Sequence, residues 1–202
     1  MRGLSPLPSH LDTDDGAGSR RAAHSVPAMT EASTSTASTK PVGMHHVAYA
    51  CRDVEATHHF YEDLMGFPLV HTEFEPREGG AYLRHVFYDL GDGTCIAFFD
   101  LNGMGEREGW TSAISTGNGL PVWVNHVAFK ADQVRQDEVR ARMAAEGIEP
   151  LMDIDHGWCH SLYFVDPNGI MVELCRDTPG IEPDPAEATR LLRATAGAPA
   201  TA

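Results

Sequence analysis

One stretch decides the fold of this chain: Ser161-Leu162-Tyr163-Phe164-Val165-Asp166-Pro167-Asn168-Gly169-Ile170-Met171-Val172-Glu173. Two runs of aliphatic and aromatic residues flank an Asp-Pro-Asn-Gly sequence, which favours a tight turn between two strands. Alternate residues of a strand face opposite sides of a sheet. The hairpin therefore presents Tyr163 and Glu173 side by side on one face.

The elements around this hairpin occur twice. Copy one is predicted as a strand (44–51), a helix (53–65) and strands at 68–74, 81–90 and 94–100; copy two as a strand (122–130), a helix (132–146) and strands at 149–153, 159–166 and 170–176. Asp53 and Asp132 suit the N-caps of the helices, and Gly66 and Gly147 suit the residues after their ends. The sequence thus predicts an α+β fold of two βαβββ modules that form a curved mixed sheet.

Length and composition set the domain organisation. The chain has 202 residues, 42% of them hydrophobic, which is enough for one domain or two small modules. Residues 1–42 are rich in Ser, Thr, Ala, Gly and Pro, so we expect a disordered leader, with Met29 as an alternative start. The folded domain is expected over 43–178, as module one (43–101), a linker (102–120) and module two (121–178). A tail over 179–202 follows, with a short helix expected at 185–193.

Charge and apolar patterning exclude several classes of function. The formal net charge is -14, and the clustered Lys and Arg that bind nucleic acid are missing. No apolar run approaches the roughly 18 residues that cross a membrane, and no signal-peptide pattern is present. Cys51, Cys95, Cys159 and Cys175 form no CxxC pair, which indicates reduced packing thiols in a cytoplasmic protein.

Two histidines occupy the same position in the two copies. His46 and His126 each precede Val-Ala near the start of the first strand of a copy. If each module curls around one concave face, both histidines and Glu173 converge there. A lone histidine on a strand is more often structural, but two at equivalent positions with a facing glutamate indicate metal ligands. His58 and His59, in contrast, belong to the first helix and are expected to be surface or packing residues.

This pattern resembles the vicinal oxygen chelate superfamily of paired βαβββ modules. Its members include glyoxalase I, extradiol ring-cleaving dioxygenases, fosfomycin-resistance proteins and bleomycin-binding proteins. The resemblance covers residues 44–177 and rests on the two Xaa-His-Val-Ala strand starts and the hairpin at 161–173. It implies that His46, His126 and Glu173 bind a divalent metal.

One missing carboxylate narrows the chemistry that the resemblance implies. Aligning Gly93 with Gly169 places Ala97 opposite Glu173, so copy one lacks a ligand there. Glyoxalase-like enzymes of the superfamily fill this fourth position, whereas extradiol dioxygenases use two histidines and one glutamate. The resemblance thus implies Fe(II), with Mn(II) as an alternative ion, in a facial triad open to a catecholate and O₂. Zn or Ni would be expected if the chain were glyoxalase-like.

Proton transfer in ring cleavage needs further residues, because the second catechol hydroxyl must lose its proton. Tyr163 occupies the place of an active-site tyrosine in extradiol dioxygenases, and Phe87 is its counterpart in copy one. His156 is the favoured acid/base, because a related ring-cleaving group places a cationic residue in this loop. His85, whose strand parity matches that of Phe87, ranks second.

The sequence therefore predicts an Fe(II)-dependent extradiol dioxygenase of the short, single-domain kind, which acts on a small aromatic diol and O₂. One alternative is another metal-dependent enzyme on this scaffold, such as a glyoxalase, an epimerase or a thiol transferase. A metal-free small-molecule binding or resistance protein is the other. Because the superfamily builds its cup within one chain or between swapped chains, we also expect a homodimer or higher homo-oligomer.

Overall fold

The computed structural model describes residues 43–195, so the expected leader (1–42) and the end of the tail (196–202) lie outside the described residues. The elements are β1 (His46–Cys51), α1 (Val54–His58), a π-helical segment (His59–Leu64), β2 (Leu69–Pro76), a 3₁₀ turn (Glu78–Gly80), β3 (Tyr82–Asp89), β4 (Cys95–Asn102), α2 (Ile114–Gly117), β5 (His126–Lys130), α3 (Gln133–Ala145), β6 (Met152–Asp155), β7 (Cys159–Val165), β8 (Met171–Asp177) and α4 (Pro185–Leu192). None of the helices in this part of the chain has the length and apolarity to cross a membrane.

The strands form two four-stranded mixed sheets of identical topology. Their orders are β1-β4-β3-β2 and β5-β8-β7-β6, and in each sheet the first pair is parallel and the other pairs are antiparallel. The registers also match, because Phe87 lies opposite Ala97 as Tyr163 lies opposite Glu173. The predicted α+β fold of two βαβββ modules is confirmed, and Ala97 takes the place in module one that Glu173 takes in module two.

Several elements differ from the sequence prediction. Among them, β6 was expected at 149–153 and is found at Met152–Asp155, and α2 lies in the expected linker. The first strand of module two begins at His126, because the Val124 amide donates to the Pro121 carbonyl at 3.1 Å and turns the chain before it. The first helix is α-helical only to His58 and continues as a π-helix, in which the Met65 amide reaches the Phe60 carbonyl at 2.9 Å. The wider turn keeps Phe60, Tyr61 and Leu64 all buried.

Aspartates begin the helices as the sequence predicts. Asp53 accepts the Ala56 amide at 3.0 Å and Asp132 accepts the Arg135 amide at 2.8 Å, so each cap satisfies a free backbone donor. The segment expected to form a short helix in the tail is α4, and Asp184 accepts the Glu187 amide there at 2.9 Å.

The β7–β8 hairpin turn is also a contact between the modules. Asp166 accepts the Asn168 and Ile170 amides at 2.9 and 2.8 Å, and it accepts the Tyr61 hydroxyl of module one at 3.0 Å. Burial raises the pKa of Asp166 in spite of these hydrogen bonds. The turn therefore satisfies a buried carboxyl group while it anchors module two to module one.

The modules pack through their helical sides. One apolar cluster includes buried residues of both modules, and the Phe67 and Phe129 rings meet in it with centroids 4.9 Å apart. The Arg142 guanidinium donates to the Leu64 carbonyl at 2.7 Å across the same contact. The opposite sheet faces are open at their edge strands, where His46 and His126 are exposed. The two histidine-bearing faces thus look away from the contact between the modules.

Candidate metal centre

Two of the predicted metal ligands meet on the open face of module two. Nε2 of His126 lies 3.1 Å from Oε2 of Glu173, and Glu173 is only 6% exposed. Nδ1 of His126 lies 2.9 Å from the Trp123 carbonyl oxygen, a hydrogen bond in which the ring nitrogen must donate. This bond orients the ring so that Nε2 faces the carboxylate, where a proton or a metal ion can bridge the two groups.

The geometry of this pair fits a bound metal ion. Two ligands at about 2.1 Å from one ion, set at right angles, lie about 3.0 Å apart. The observed separation of 3.1 Å between Nε2 of His126 and Oε2 of Glu173 matches that spacing. An imidazole fixed by a backbone carbonyl and a carboxylate fixed by its own hydrogen bond is also the usual arrangement around protein-bound metals.

Ser161 holds the second oxygen of the glutamate. Its Oγ donates to Oε1 of Glu173 at 2.5 Å, and it lies 3.6 Å from Sγ of Cys159. Ser161 is fully buried on β7, next to Tyr163 on the same strand face. The two oxygens of Glu173 therefore have different partners, with Oε1 on the Ser161 side and Oε2 on the His126 side.

Two of the three residues predicted to move protons contact each other. Nε2 of His156 lies 3.0 Å from the Tyr163 hydroxyl, and the Tyr163 and His126 ring centroids are 6.3 Å apart. Burial raises the pKa of Tyr163, and the negative charge of Glu173 adds to the effect. The Tyr163 hydroxyl is therefore protonated at neutral pH, and it can donate a hydrogen bond or pass its proton to His156.

A pocket of about 320 Å³ opens directly over these groups. His126, His156 and Tyr163 supply its polar atoms, while Trp123, Met152, Ile154 and Met171 supply apolar lining. A pocket of this size and polarity suits a small aromatic molecule with a few polar substituents.

His46 and His85 form a separate group on module one. The His46 ring packs against those of His85 and Phe87 at 6.0 and 5.4 Å, and the His85 ring stacks on Phe99 at 3.7 Å. His85 is 7% exposed, and burial lowers its pKa. Within residues 43–195 no set of three close donor atoms includes His46. The structure thus brings together His126, Glu173, Tyr163 and His156, and keeps His46 and His85 apart from them.

Sequence reasoning assigned no role at the site to Ser161, Cys159 or Cys175. The ligand atoms of Cys159, Cys175 and Glu173 lie within 4.8 Å of one another. Burial raises the pKa of Cys175 to about 11. Strand parity was the available signal, because all three residues share a face with Tyr163 and Glu173, but a spacing without CxxC gave no indication of a thiol pair.

One solved protein domain shares this fold, and two further solved proteins are similar to the chain. A solved glyoxylase/bleomycin resistance protein/dioxygenase domain from Frankia sp. EAN1pec is 17% identical, with a TM-score of 0.51 over 70% of this chain and 96% of that one. A lactoylglutathione lyase from Agrobacterium tumefaciens is 25% identical, with a TM-score of 0.48 over 71% and 100% of the two chains. A fosfomycin resistance protein from Listeria monocytogenes is 20% identical, with a TM-score of 0.46 over 69% and 97%. No curated protein sequence matches the chain.

The family is settled by a match at the level of sequence. The family model of the Glyoxalase/Bleomycin resistance protein/Dioxygenase superfamily matches residues 43–174, which include both modules and the β7–β8 hairpin. The matched residues include strands of both four-stranded sheets, whose strand orders are identical. The chain therefore belongs to the Glyoxalase/Bleomycin resistance protein/Dioxygenase superfamily.

Proposed function

We propose that this chain is an extradiol ring-cleaving dioxygenase that uses Fe(II) and O₂ to open a small catechol. The observation that carries the proposal is the grouping of His126, Tyr163 and His156 in the lining of one largely apolar pocket, with Glu173 behind them, 3.1 Å from His126. Fe(II) held by two imidazoles and one carboxylate supplies the redox chemistry that joins O₂ to a catecholate.

The residues of the pocket have distinct tasks in this proposal. Trp123, Met152 and Met171 would contact the ring of the diol and exclude water from it. The Tyr163 hydroxyl would donate a hydrogen bond to one diol oxygen, and His156, 3.0 Å from that hydroxyl, would accept the proton released by the diol. Ser161 keeps Glu173 oriented through the 2.5 Å hydrogen bond to Oε1.

Ala97 favours the dioxygenase over a glyoxalase. It is fully buried at the register position of Glu173, so module one offers no carboxylate there. With Glu173 and two histidines as the ligands, part of the coordination sphere stays open for a diol and O₂.

We further propose that His46 reaches the site from a second copy of the chain. The modules of one chain pack through their helical sides, and the faces that carry His46 and His126 are both exposed. A two-fold dimer would place module one of each copy over module two of the other, and would complete two equivalent sites. Fe(II) would then be held by His126 and Glu173 of one copy and His46 of the other.

The test is anaerobic reconstitution with Fe(II), followed by 2,3-dihydroxybiphenyl and air. We expect a yellow ring-fission product from the wild-type protein and none from Glu173→Gln, which also should not retain iron. His58→Gln is the matched control, because His58 lies on α1, on the helical side of module one, and should leave iron content and product formation unchanged.

Two results would contradict the proposal. Absence of product with a panel of catechols, together with lactoylglutathione formation by the Ni- or Zn-loaded protein, would replace the dioxygenase with a glyoxalase. Equal iron content in the wild type and Glu173→Gln would remove Glu173 from the metal site.

A further inference from the structure

A second group of metal-binding side chains lies beside Glu173 and involves neither His46 nor His126. The side chains of Cys159 and Ser161 lie on the same face of β7, and Cys175 lies opposite Ser161 on β8. The two Sγ atoms and a Glu173 carboxylate oxygen all lie within 4.8 Å of one another. We propose that Cys159, Cys175 and Oε1 of Glu173 form a site for a soft or borderline divalent cation such as Cd²⁺ or Zn²⁺.

The chemistry of the donors selects this class of ion. Thiolate sulfur prefers soft and borderline cations, and a site with two such atoms discriminates against Mg²⁺ and Ca²⁺. At metal–sulfur distances of about 2.3 Å, two sulfurs in tetrahedral geometry lie about 3.8 Å apart. The observed limit of 4.8 Å is therefore within small side-chain rotations of a bound arrangement.

The three donors are largely shielded from solvent, and a neighbouring side chain contacts two of them. Cys159 is fully buried and Glu173 is 6% exposed, while Cys175 is partly exposed and gives an ion access from the surface. Ser161 sits among them, 3.6 Å from Sγ of Cys159 and 2.5 Å from Oε1 of Glu173. The entering ion takes over Oε1 from the Ser161 hydroxyl, and each thiol releases its proton to solvent as its sulfur binds.

The site is a property of module two alone. At the equivalent register positions module one has Leu83, Phe99 and Ala97, none of which can bind an ion. Cys95, on β4, faces His46 across the strand pair, and Cys51, the other cysteine of module one, lies at the opposite end of β1. The inference does not depend on the proposed ring cleavage, because its donors do not include His46 or His126. Oε2 of Glu173 still faces His126 when Oε1 binds the cation.

Cd²⁺ titration of the reduced, metal-free full chain tests the inference. Thiolate-to-cadmium charge transfer produces an ultraviolet band that imidazole and carboxylate ligands do not. We expect the band to saturate at one Cd²⁺ per chain, and to be lost in Cys159→Ser and Cys175→Ala. It should persist in Cys95→Ser, the matched thiol control.

The outcomes separate this site from the proposed iron site. A band that survives Cys175→Ala, or disappears equally in Cys95→Ser, would overturn the inference, as would no band at stoichiometric Cd²⁺. Cys175 is the decisive position, since its partial exposure lets the alanine variant fold, which circular dichroism would verify. A cysteine-dependent band in a protein without ring-cleaving activity would uphold this inference and refute the dioxygenase.

Discussion

At the scale of single residues, the candidate metal-binding groups of module two are arranged around the carboxylate of Glu173. Glu173 turns Oε1 to Ser161 and Oε2 to His126, and the Trp123 carbonyl fixes the orientation of the His126 ring. A buried carboxylate with a defined partner for each oxygen is held in one orientation before any ion arrives. Side chains that do not bind the ion can therefore change its affinity.

Ser161→Ala tests this positioning. Loss of the hydrogen bond to Oε1 should weaken binding of Mn(II) or Fe(II) about 10-fold to 100-fold, because Glu173 is no longer held in place. Anaerobic titration of the metal-free protein measures the change. Ser112→Ala is the control, since the Ser112 hydroxyl donates to the Asn168 carbonyl at 2.8 Å and should leave affinity unchanged. Equal affinity in all three proteins would contradict the role of Ser161.

Tyr163→Phe separates proton transfer from metal binding. The variant retains the ring but lacks the hydroxyl that contacts His156 at 3.0 Å, so we expect kcat to fall about 100-fold or more at unchanged iron content. Tyr82→Phe, which removes a hydroxyl bound to Asp100 on module one, serves as the matched control. A Tyr163→Phe variant with wild-type kcat would limit Tyr163 to lining the pocket.

At the scale of elements, the two hairpin turns occupy equivalent positions and each ends in a glycine, but their surroundings differ. Gly93 and Gly169 both have positive φ, at 87° and 76°. A Cβ on Gly93 would meet no atom within 4 Å, whereas one on Gly169 would lie 2.7 Å from Cβ of Ala113. Gly169 is therefore packed against another segment, and Gly93 is not.

Replacing each of these glycines by alanine should therefore lower the free energy of unfolding by different amounts. We expect Gly93→Ala to lower the free energy of unfolding by about 1 to 2 kcal/mol, the cost of a left-handed backbone. Gly169→Ala should lower it by about 3 kcal/mol or more, because the clash with Ala113 adds to that cost. Urea unfolding of both variants measures the difference. Equal losses would show that the turn can move away from Ala113.

His59 links two elements and makes their contact depend on pH. Its ring nitrogens lie 2.9 Å from Glu146 on the α3 side and 2.7 Å from Asp63 on its own helix. Hydrogen bonding to Glu146, and then to Asp63, raises the pKa of His59. A raised pKa means that the stabilisation is full below the pKa of the unfolded chain and is lost as the pH rises through that of the folded protein.

His59→Gln should accordingly destabilise the protein more at about pH 6 than at about pH 9. Thermal unfolding at the two pH values measures the difference between the variant and the wild type. Glu146→Gln should reduce the same pH dependence, because it removes the stronger partner. A difference that is independent of pH would show that His59 contributes by packing rather than by charge.

At the scale of the whole molecule, the placement of the two modules determines whether one chain can complete a metal triad. The helical sides share one apolar cluster, so the sheet faces that carry His46 and His126 are directed elsewhere. The proposed dimer would complete the triad without breaking this cluster.

Mixing two inactive variants tests the proposed dimer. His46→Ala and Glu173→Ala should each lack activity, but a mixed dimer regains one intact site from the His126 and Glu173 of one copy and the His46 of the other. With random exchange of subunits we expect about one quarter of the wild-type activity. No recovery after exchange, verified by mass spectrometry of tagged copies, would place the whole triad within one chain.

The sequence alone determined the periodic and local features of this protein. Strand alternation, aspartate caps and the repeated hairpin turn predicted two βαβββ modules and the face shared by Tyr163 and Glu173, because these depend on neighbours along the chain. It could not find the π-helical end of the first helix, where packing of Phe60, Tyr61 and Leu64 prevails over the regular helical period.

Only the tertiary structure decided which of these features meet. It joined His126 to Glu173 and His156 to Tyr163, gathered Cys159 and Cys175 beside Ser161, and placed His59 between two carboxylates. It also set His46 apart from the other predicted ligands. The physical reason is that these relations depend on which faces two modules bury against each other, and periodicity within a module carries no information about that choice.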